Sequence, residues 1–290
     1  MIAQPDPHSE PNEKADPHPF DAGAYLSAVA NGGVPDDSVP TGFPSVDTLL
    51  GGGIRRGDLV VLGGEAGAGK SALALGILLR IGENGGQAAY LTGEMSAERV
   101  YDRALAIETR LRFDQVHSGK LDDAARSQIA AAAAKLRTQA PVIRTIPEGG
   151  VTGLSDILIE HLGLQLVVVD PVQWLLVAQD AMDEQLARMA RELKALALRR
   201  SVAVLAVSSL RAATRDRPDP RPRLDDFGAL GALKQHADVV LGLFREEMYS
   251  DLRDVQGAAE LHVLKNRHGA LGYADLYFYK ESLRFEDVVD

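Results

Sequence analysis

Residues 63–71 read GGEAGAGKS, and this stretch decides the fold. The spacing Gly64-x4-Gly69-Lys70-Ser71 matches a phosphate-binding P-loop, whose glycines let backbone N–H groups point at a phosphate. The apolar run DLVVL (58–62) precedes it and SALALGILLRIG (71–82) follows, so the loop joins a buried strand to a helix, as the motif requires. The alternative is a glycine-rich turn that binds nothing. The predicted nucleotide-binding residues are Gly64, Glu65, Ala66, Gly67, Ala68, Gly69, Lys70 and Ser71.

Two carboxylates complete the predicted site. In a P-loop protein, Lys70 can reach the β- and γ-phosphates, and the Ser71 hydroxyl can bind Mg²⁺. The apolar run LQLVVVD (164–170) ends in Asp170, where ligands bind in open α/β sheets, so Asp170 is the second predicted Mg²⁺ ligand. Glu94, just past the strand AAYLT (88–92), is placed to activate a water molecule. The alternatives are a turn-initiating aspartate and a capping or solvated glutamate.

Composition excludes several classes of protein. The 290 residues include no cysteine, which rules out disulfides and cysteine-based sites and fits a cytoplasmic location. No apolar run approaches the roughly 18 residues that span a bilayer, and the N-terminus does not resemble a secretory signal. The net charge is −10, so any contact with nucleic acid must come from a local basic segment.

Strand and helix patterns alternate along the chain. Buried strands are predicted at 58–62, 88–92, 142–145, 164–169, 202–207 and 239–244, with helices near 96–109, 122–138, 152–162 and 183–199. This alternation predicts an α/β fold with a mostly parallel sheet and helices on both faces. The stretch LHVLKNRHGALGYADLYFY (261–279) predicts a C-terminal antiparallel hairpin at the sheet edge. We expect a disordered tail at 1–19, a short linker helix and loop at 20–40, and one domain at 41–290.

The motifs together resemble one family. TGFPSVDTLLGGGIRRGDLVVLGGEAGAGKSALAL (41–75), GEMSAERVYDRALA (93–106), VVVDPVQWL (167–175) and LKNRHGALGYADLYFYKESLRFED (264–287) resemble, in the same order, the motor domain of DnaB-type replicative helicases. The resemblance implies a RecA-like ATPase fold, ATP and Mg²⁺ as cofactors, and Glu94 as the catalytic glutamate. It also implies a homo-oligomer, a hexameric ring, in which Lys265 and Arg267 reach the γ-phosphate held by the neighbouring copy.

The sequence departs from the family pattern at two places. The family has a Ser-Gln pair after the strand that follows Asp170, where this chain has Ser208-Ser209. The family also has an Arg-Glu pair in the segment that lines the ring, where this chain has Gly228-Ala229. The first change removes a side chain that senses the γ-phosphate, and the second removes an expected contact with the DNA backbone.

A basic segment lies between these two departures. LRAATRDRPDPRPR (210–223) is the most basic stretch of an acidic chain, and its prolines predict an extended, exposed loop. It could bind the phosphate backbone of single-stranded DNA. The alternative is a solvated loop whose arginines pair with acidic groups of the adjacent subunit. The candidate DNA-binding residues are Arg211, Arg215, Arg217, Arg221 and Arg223.

The sequence therefore predicts an ATP-hydrolysing motor, coupled to 5′–3′ translocation on single-stranded DNA and to unwinding in replication. The alternative is a regulatory or scaffold ATPase whose nucleotide state controls assembly or partner binding without unwinding. A third possibility, recombinase-like strand pairing, is weakened by the lack of aromatic segments suited to stacking on bases.

Overall fold

The computed structural model describes residues 21–33, 37–176, 182–210, 217–249 and 255–288. The predicted tail at 1–19 lies outside the described residues. The chain divides into two compact units, one up to Asp37 and one from Ser38 onward. In the first unit, helix α1 (Ala22–Ala30) begins after Asp21, whose carboxylate accepts a hydrogen bond from the Ala24 N–H at 2.9 Å. This is the predicted short helix; the predicted domain limits stay predictions.

The second unit is built on a nine-stranded sheet with the strand order β11-β10-β9-β8-β3-β7-β6-β4-β5. The six strands from β8 to β5 in this order are parallel, and the last three of the chain add to β8 in antiparallel fashion. A separate antiparallel ribbon pairs β1 (Ser38–Val39) with β2 (Ile54–Arg55). The strands of the large sheet are β3 (Leu59–Gly64), β4 (Gln87–Thr92), β5 (Val142–Thr145), β6 (Leu164–Asp170), β7 (Ala203–Ser209), β8 (Val239–Arg245), β9 (Ala258–Asn266), β10 (Gly272–Tyr279) and β11 (Arg284–Asp287).

Helices cover both faces of the sheet. Alternate residues of the central strand β3 point to opposite sides, so Val60 and Leu62 join one core while Leu59 and Val61 join the other. The first core contains α3 (Lys70–Glu83), α4 (Ala97–Thr109) and α6 (Asp123–Gln139); the second contains α7 (Val151–Glu160) and α8 (Met182–Arg200). Shorter helices are α2 (Pro44–Leu49), α5 (Phe113–Ser118) and α9 (Gly231–His236). The predicted parallel sheet with helices on both faces is confirmed.

The C-terminal segment forms more than the predicted hairpin. β9 and β10 pair antiparallel as expected, with Tyr273 opposite His262, but β11 pairs with β10 and takes the edge of the sheet. The main-chain N–H of Ser45 donates to Asp287 at 2.8 Å, and so ties α2 to the residue that ends β11. No helix in the described part of the chain is long and apolar enough to cross a membrane.

Parallel pairing gathers the ends of four strands at one edge of the sheet. Gly64 of β3 pairs with Ser209 of β7, and Thr92 of β4 pairs with Asp170 of β6. The predicted P-loop follows β3, Asp170 ends β6, and Glu94 lies just after β4. The opposite edge holds the residues that precede β3 and β8, namely Asp58 and Asp238.

Candidate functional site

The P-loop lies between β3 and α3, as predicted. Its last residue before the helix, Gly69, has φ 101°, and a β-carbon there would lie 2.9 Å from Cζ of Phe285. Only glycine fits both the left-handed backbone and this close approach. Helix α3 begins at Lys70, so its unpaired N–H groups and positive end face the space enclosed by the loop. This is the arrangement that binds a phosphate.

The Lys70 ammonium lies inside the loop. Its Nζ donates to the carbonyl oxygens of Gly64 at 3.0 Å and Glu65 at 2.9 Å, and only 7% of the residue is exposed. Burial lowers the pKa of Lys70, against the opposing charges of Asp170, Glu94 and Glu65. The structure therefore brings Lys70 and both predicted carboxylates into one electrostatic neighbourhood.

Asp170 is buried at the end of β6. One carboxylate oxygen, Oδ2, accepts a hydrogen bond from the hydroxyl of Tyr90 on the adjacent strand β4. Burial, followed by the charge of Asp170, raises the pKa of Tyr90 well above its ordinary value. The side chain of Ser71 lies near the same hydroxyl and acts to lower the pKa of Tyr90. A serine hydroxyl and a carboxylate are hard oxygen donors, so this convergence fits Mg²⁺.

Glu94 lies in the turn that follows β4. Thr92 fixes this turn, because its Oγ1 accepts from the Met95 N–H at 3.0 Å and donates to the Met95 carbonyl at 2.9 Å. A β-carbon on Gly93 would lie 2.5 Å from Cγ of Trp174, so the indole packs directly against the turn. The Glu94 side chain is exposed, and its role in activating water stays a prediction.

Two residues at or just after the end of β8 support the loop, and the sequence did not indicate them. Arg245, at the end of β8, donates to the carbonyl of Gly67 at 3.1 Å, and its guanidinium lies 4.5 Å from the ring centroid of Phe278. The hydroxyl of Tyr249 donates to the carboxylate of Glu65. An arginine within an otherwise apolar strand (VVLGLFR) was the available signal for Arg245.

The predicted pair Lys265 and Arg267 lies at the opposite edge of the sheet. Nζ of Lys265 donates to the carbonyls of Lys234 at 2.8 Å and Gln235 at 3.0 Å, near the end of α9. Nη1 of Arg267 donates to Oδ1 of Asp238 at 3.1 Å, and the Arg267 side chain is 49% exposed. Asp238 Oδ2 in turn accepts from the N–H of Leu59, the first residue of β3. The whole of β3 therefore separates Arg267 from the P-loop of its own chain.

With this geometry in place, a comparison with protein families is decisive. The model of the DnaB-like helicase C-terminal domain matches residues 38–287. The chain belongs to this family. The match begins at the first residue of the second compact unit and ends at the last residue of β11.

Other members of the DnaB-like family are similar along most of the chain. The replicative DNA helicase DnaB of Geobacillus stearothermophilus is 29% identical over 257 residues, which cover 85% of this chain and 56% of that protein. The replicative DNA helicase DnaC of Bacillus subtilis is 27% identical over 254 residues, with coverage of 85% and 56%. The chain thus spans about half the length of the curated relatives it matches.

Two solved structures share the RecA-like fold expected of a DnaB-like domain. The ATPase domain of G40P superposes with a TM-score of 0.84 at 23% identity, covering 92% of this chain and 98% of that one. A DnaB-like replicative helicase, solved in a study of its interactions with primase, gives a TM-score of 0.85 at 22% identity, with coverage of 93% and 69%. The predicted fold class is confirmed.

The two departures from the DnaB-like pattern are visible at the site. Ser209 is exposed at the end of β7, beside Gly64, while the buried Ser208 accepts a hydrogen bond from Nε2 of Gln173 at 2.7 Å. This bond links the segment after β6 to β7. Gly228-Ala229 lie in a 3-10 turn at Leu224–Leu230, where the buried ring of Phe227 anchors the turn.

Two arginines of the basic loop bind carboxylates of the same chain. The alternative to DNA binding given above predicts such pairs, but with carboxylates of the adjacent subunit. Arg217 makes two bonds to Asp226, at 2.8 and 2.9 Å, and Arg221 makes two to Glu260, at 2.7 and 2.6 Å. Arg223 keeps 58% of its side chain exposed. Arg211 and Arg215 lie outside the described residues. DNA binding by these arginines stays a prediction.

Proposed function

We propose that this chain is the motor domain of a DnaB-like helicase. It hydrolyses ATP at the boundary between adjacent copies and couples hydrolysis to 5′–3′ movement along single-stranded DNA during replication. The family match, and relatives named as replicative DNA helicases, support this function. Action on replicating DNA places the chain in the cytoplasm, and the boundary sites imply a ring, for which we propose six copies.

Each part of the proposed site has one task. The P-loop N–H groups and Lys70 bind the β- and γ-phosphates, helped by the positive end of α3. Ser71 and Asp170 hold Mg²⁺, which neutralises negative charge on the phosphates. Glu94 accepts a hydrogen bond from the attacking water and turns it toward the γ-phosphate. Tyr249 and Arg245 keep the loop in shape through Glu65 and Gly67.

The observation that carries the proposal is the distance between the side chains of Lys265 and Arg267 and the P-loop of the same chain. Arg267 is bonded to Asp238 at one end of β3, and the P-loop starts at the other end. Six residues of strand span roughly 17–20 Å, which is beyond the reach of an arginine side chain. This distance excludes action on the P-loop of the same chain and supports the proposal that Lys265 and Arg267 serve a phosphate held by another copy, as an arginine finger supplied in trans.

A mixing experiment tests this arrangement. We expect Lys70→Ala to lose nucleotide binding and Arg267→Ala to bind nucleotide without hydrolysing it. In rings mixed from equal amounts of the two, about one quarter of the sites pair an intact P-loop with an intact finger. Mixing should therefore restore part of the wild-type ATPase rate. A mixture as inactive as its components, under conditions where the two variants exchange subunits, would exclude catalysis in trans.

In the regulatory alternative, the chain uses the same ATP site but does not act on DNA. The loss of the family's Gln at Ser209 and of its Arg-Glu pair at Gly228-Ala229 favours this alternative, whereas the names of the relatives favour the motor. An ATPase rate that does not change when single-stranded DNA is added would support regulation, and a rate that rises severalfold supports the motor.

A further inference from the structure

Tyr90 is a polar side chain in the middle of an apolar core. It lies on β4 with only 1% of its surface exposed, in the core that also holds α3. A buried hydroxyl without a partner costs free energy, and a phenylalanine would fill the same space without that cost. The hydroxyl therefore calls for an explanation that packing does not supply.

The partners of the hydroxyl supply one. Tyr90 donates to Oδ2 of Asp170, and the Ser71 side chain lies near the phenol. These two residues are the proposed Mg²⁺ ligands, from two different elements, β6 and α3. Backbone pairing already holds the end of β6, since the Gly93 N–H donates to the Asp170 carbonyl at 2.9 Å. Among the described residues, the phenol of Tyr90 is the hydrogen-bond donor to the Asp170 side chain.

We propose that Tyr90 is a positioning residue for the metal site: it fixes the Asp170 carboxylate by occupying Oδ2 and so reserves Oδ1 for the Mg²⁺ bound with the nucleotide. Outer hydrogen bonds of this kind orient metal ligands, and their loss typically weakens metal binding about 10–100-fold. The inference rests on the proposed ATP site. It adds a residue that holds the aspartate rather than one that touches nucleotide or metal.

The test removes one oxygen atom. Tyr90→Phe keeps the ring and its packing, so the fold should persist, with an unfolding midpoint close to that of the wild type. Binding of a fluorescent ADP analogue is titrated with and without Mg²⁺. We expect Tyr90→Phe to raise the Mg²⁺ concentration for half-maximal binding about tenfold, while metal-free binding stays unchanged. Tyr273→Phe, which removes a hydroxyl from an exposed tyrosine of β10, is the matched control and should behave as wild type.

A double-mutant cycle decides whether Tyr90 acts through Asp170. Asp170→Asn should weaken Mg²⁺-dependent binding by itself, and adding Tyr90→Phe should then cost nothing further. A Tyr90→Phe protein with wild-type Mg²⁺ dependence overturns the inference, as do losses that add fully in the double variant. If the wild-type protein binds no Mg²⁺-nucleotide at all, the proposed function fails instead. If Tyr90→Phe destabilises the protein, the titration is run at a temperature below its unfolding midpoint, where the variant is folded. A loss of packing alone would weaken metal-free and Mg²⁺-dependent binding equally.

Discussion

Different side chains at the strand ends are expected to bind the nucleotide and to hydrolyse it. Lys70 lies inside the P-loop, at the proposed phosphate position, whereas Glu94 extends from the exposed turn after β4 and acts on Lys70 through its charge. We therefore expect substitutions at Glu94 to separate hydrolysis from nucleotide binding.

For Glu94→Gln, we expect ATP hydrolysis to fall about 10²–10⁴-fold and nucleotide affinity to stay unchanged. The amide keeps the size of the side chain but cannot accept a proton from water. Steady-state ATPase rates and equilibrium binding of the same preparations measure the two effects. Glu98→Gln, an exposed change in the first turn of α4, is the control. A rate within twofold of wild type would show that Glu94 is only a capping or solvated carboxylate.

A single β-carbon at Gly69 should damage both the fold and the site. Gly69 combines a positive φ of 101° with contact to Phe285, whereas Gly85 has φ 77° and open space around it. We expect Gly69→Ala to lower the free energy of unfolding by about 2–4 kcal/mol and Gly85→Ala by about 1 kcal/mol. Urea unfolding of both variants gives the comparison. Equal losses would mean that Phe285 moves aside and that backbone strain alone matters.

At the scale of elements, the sequence predicts what depends on local pattern. Each of the six parallel strands lies within two residues of its predicted limits at either end. The prediction of burial was wrong for β5, whose last two residues, Arg144 and Thr145, are exposed at the edge of the sheet. The short helices α5 and α9 were missed because six residues carry too little periodicity to be recognised. Strand β11 was missed as well, since its four residues follow the hairpin without a long apolar run.

Contacts between distant elements escape sequence reasoning for a physical reason. Tyr90 and Asp170 are 80 residues apart, and Arg245 and Gly67 are 178 apart. Strand order decides which of these meet, and strand order is not a local property. The motif residues Lys70, Asp170 and Glu94 could be found because each lies at the end of a recognisable element. Their supporting residues lie within strands, where the same pattern only predicts burial.

The basic loop is fastened to β9 by Arg221 and Glu260. Burial works against the charge of Glu260, but its bonds to Arg221 and His262 prevail and lower its pKa. Because the pKa of Glu260 in the folded state lies below its value in the unfolded state, the stabilisation is fully present above the ordinary value of 4.5 and is lost as the pH falls through the folded pKa. We expect Glu260→Gln to cost about 1 kcal/mol at neutral pH.

Acid titration of stability checks this attachment. The difference in unfolding free energy between wild type and Glu260→Gln should shrink from pH 6 toward pH 3. Asp219→Asn removes the more exposed partner of Arg221, 3.5 Å away, and should change stability little. A difference that stays constant with pH would mean that Glu260 contributes through packing and not through its charge.

For the whole molecule, the open question is whether an acidic chain binds DNA through its one basic loop. Arg217 and Arg221 are held by carboxylates of the same chain, so substituting them would also remove an ion pair from Asp226 or Glu260. Arg223 gives a cleaner test, since its side chain is 58% exposed and its nearest carboxylate partner, Asp219, is 3.8 Å away. Arg126 on α6 is matched to it, 68% exposed and 3.8 Å from Asp123.

If the loop grips single-stranded DNA, the ATPase rate should rise with added DNA, and the DNA affinity should fall steeply with salt. Arg223→Gln should weaken binding to all sequences alike and flatten the slope of log affinity against log salt concentration by about 0.7, the value for one lost phosphate contact on a single strand. Arg126→Gln should leave both affinity and slope unchanged. Affinities from fluorescence anisotropy between 50 and 200 mM salt measure this. If both substitutions have the same effect, Arg223 acts only through the net charge of the protein and makes no phosphate contact of its own. The basic loop would then be a surface loop that does not bind DNA.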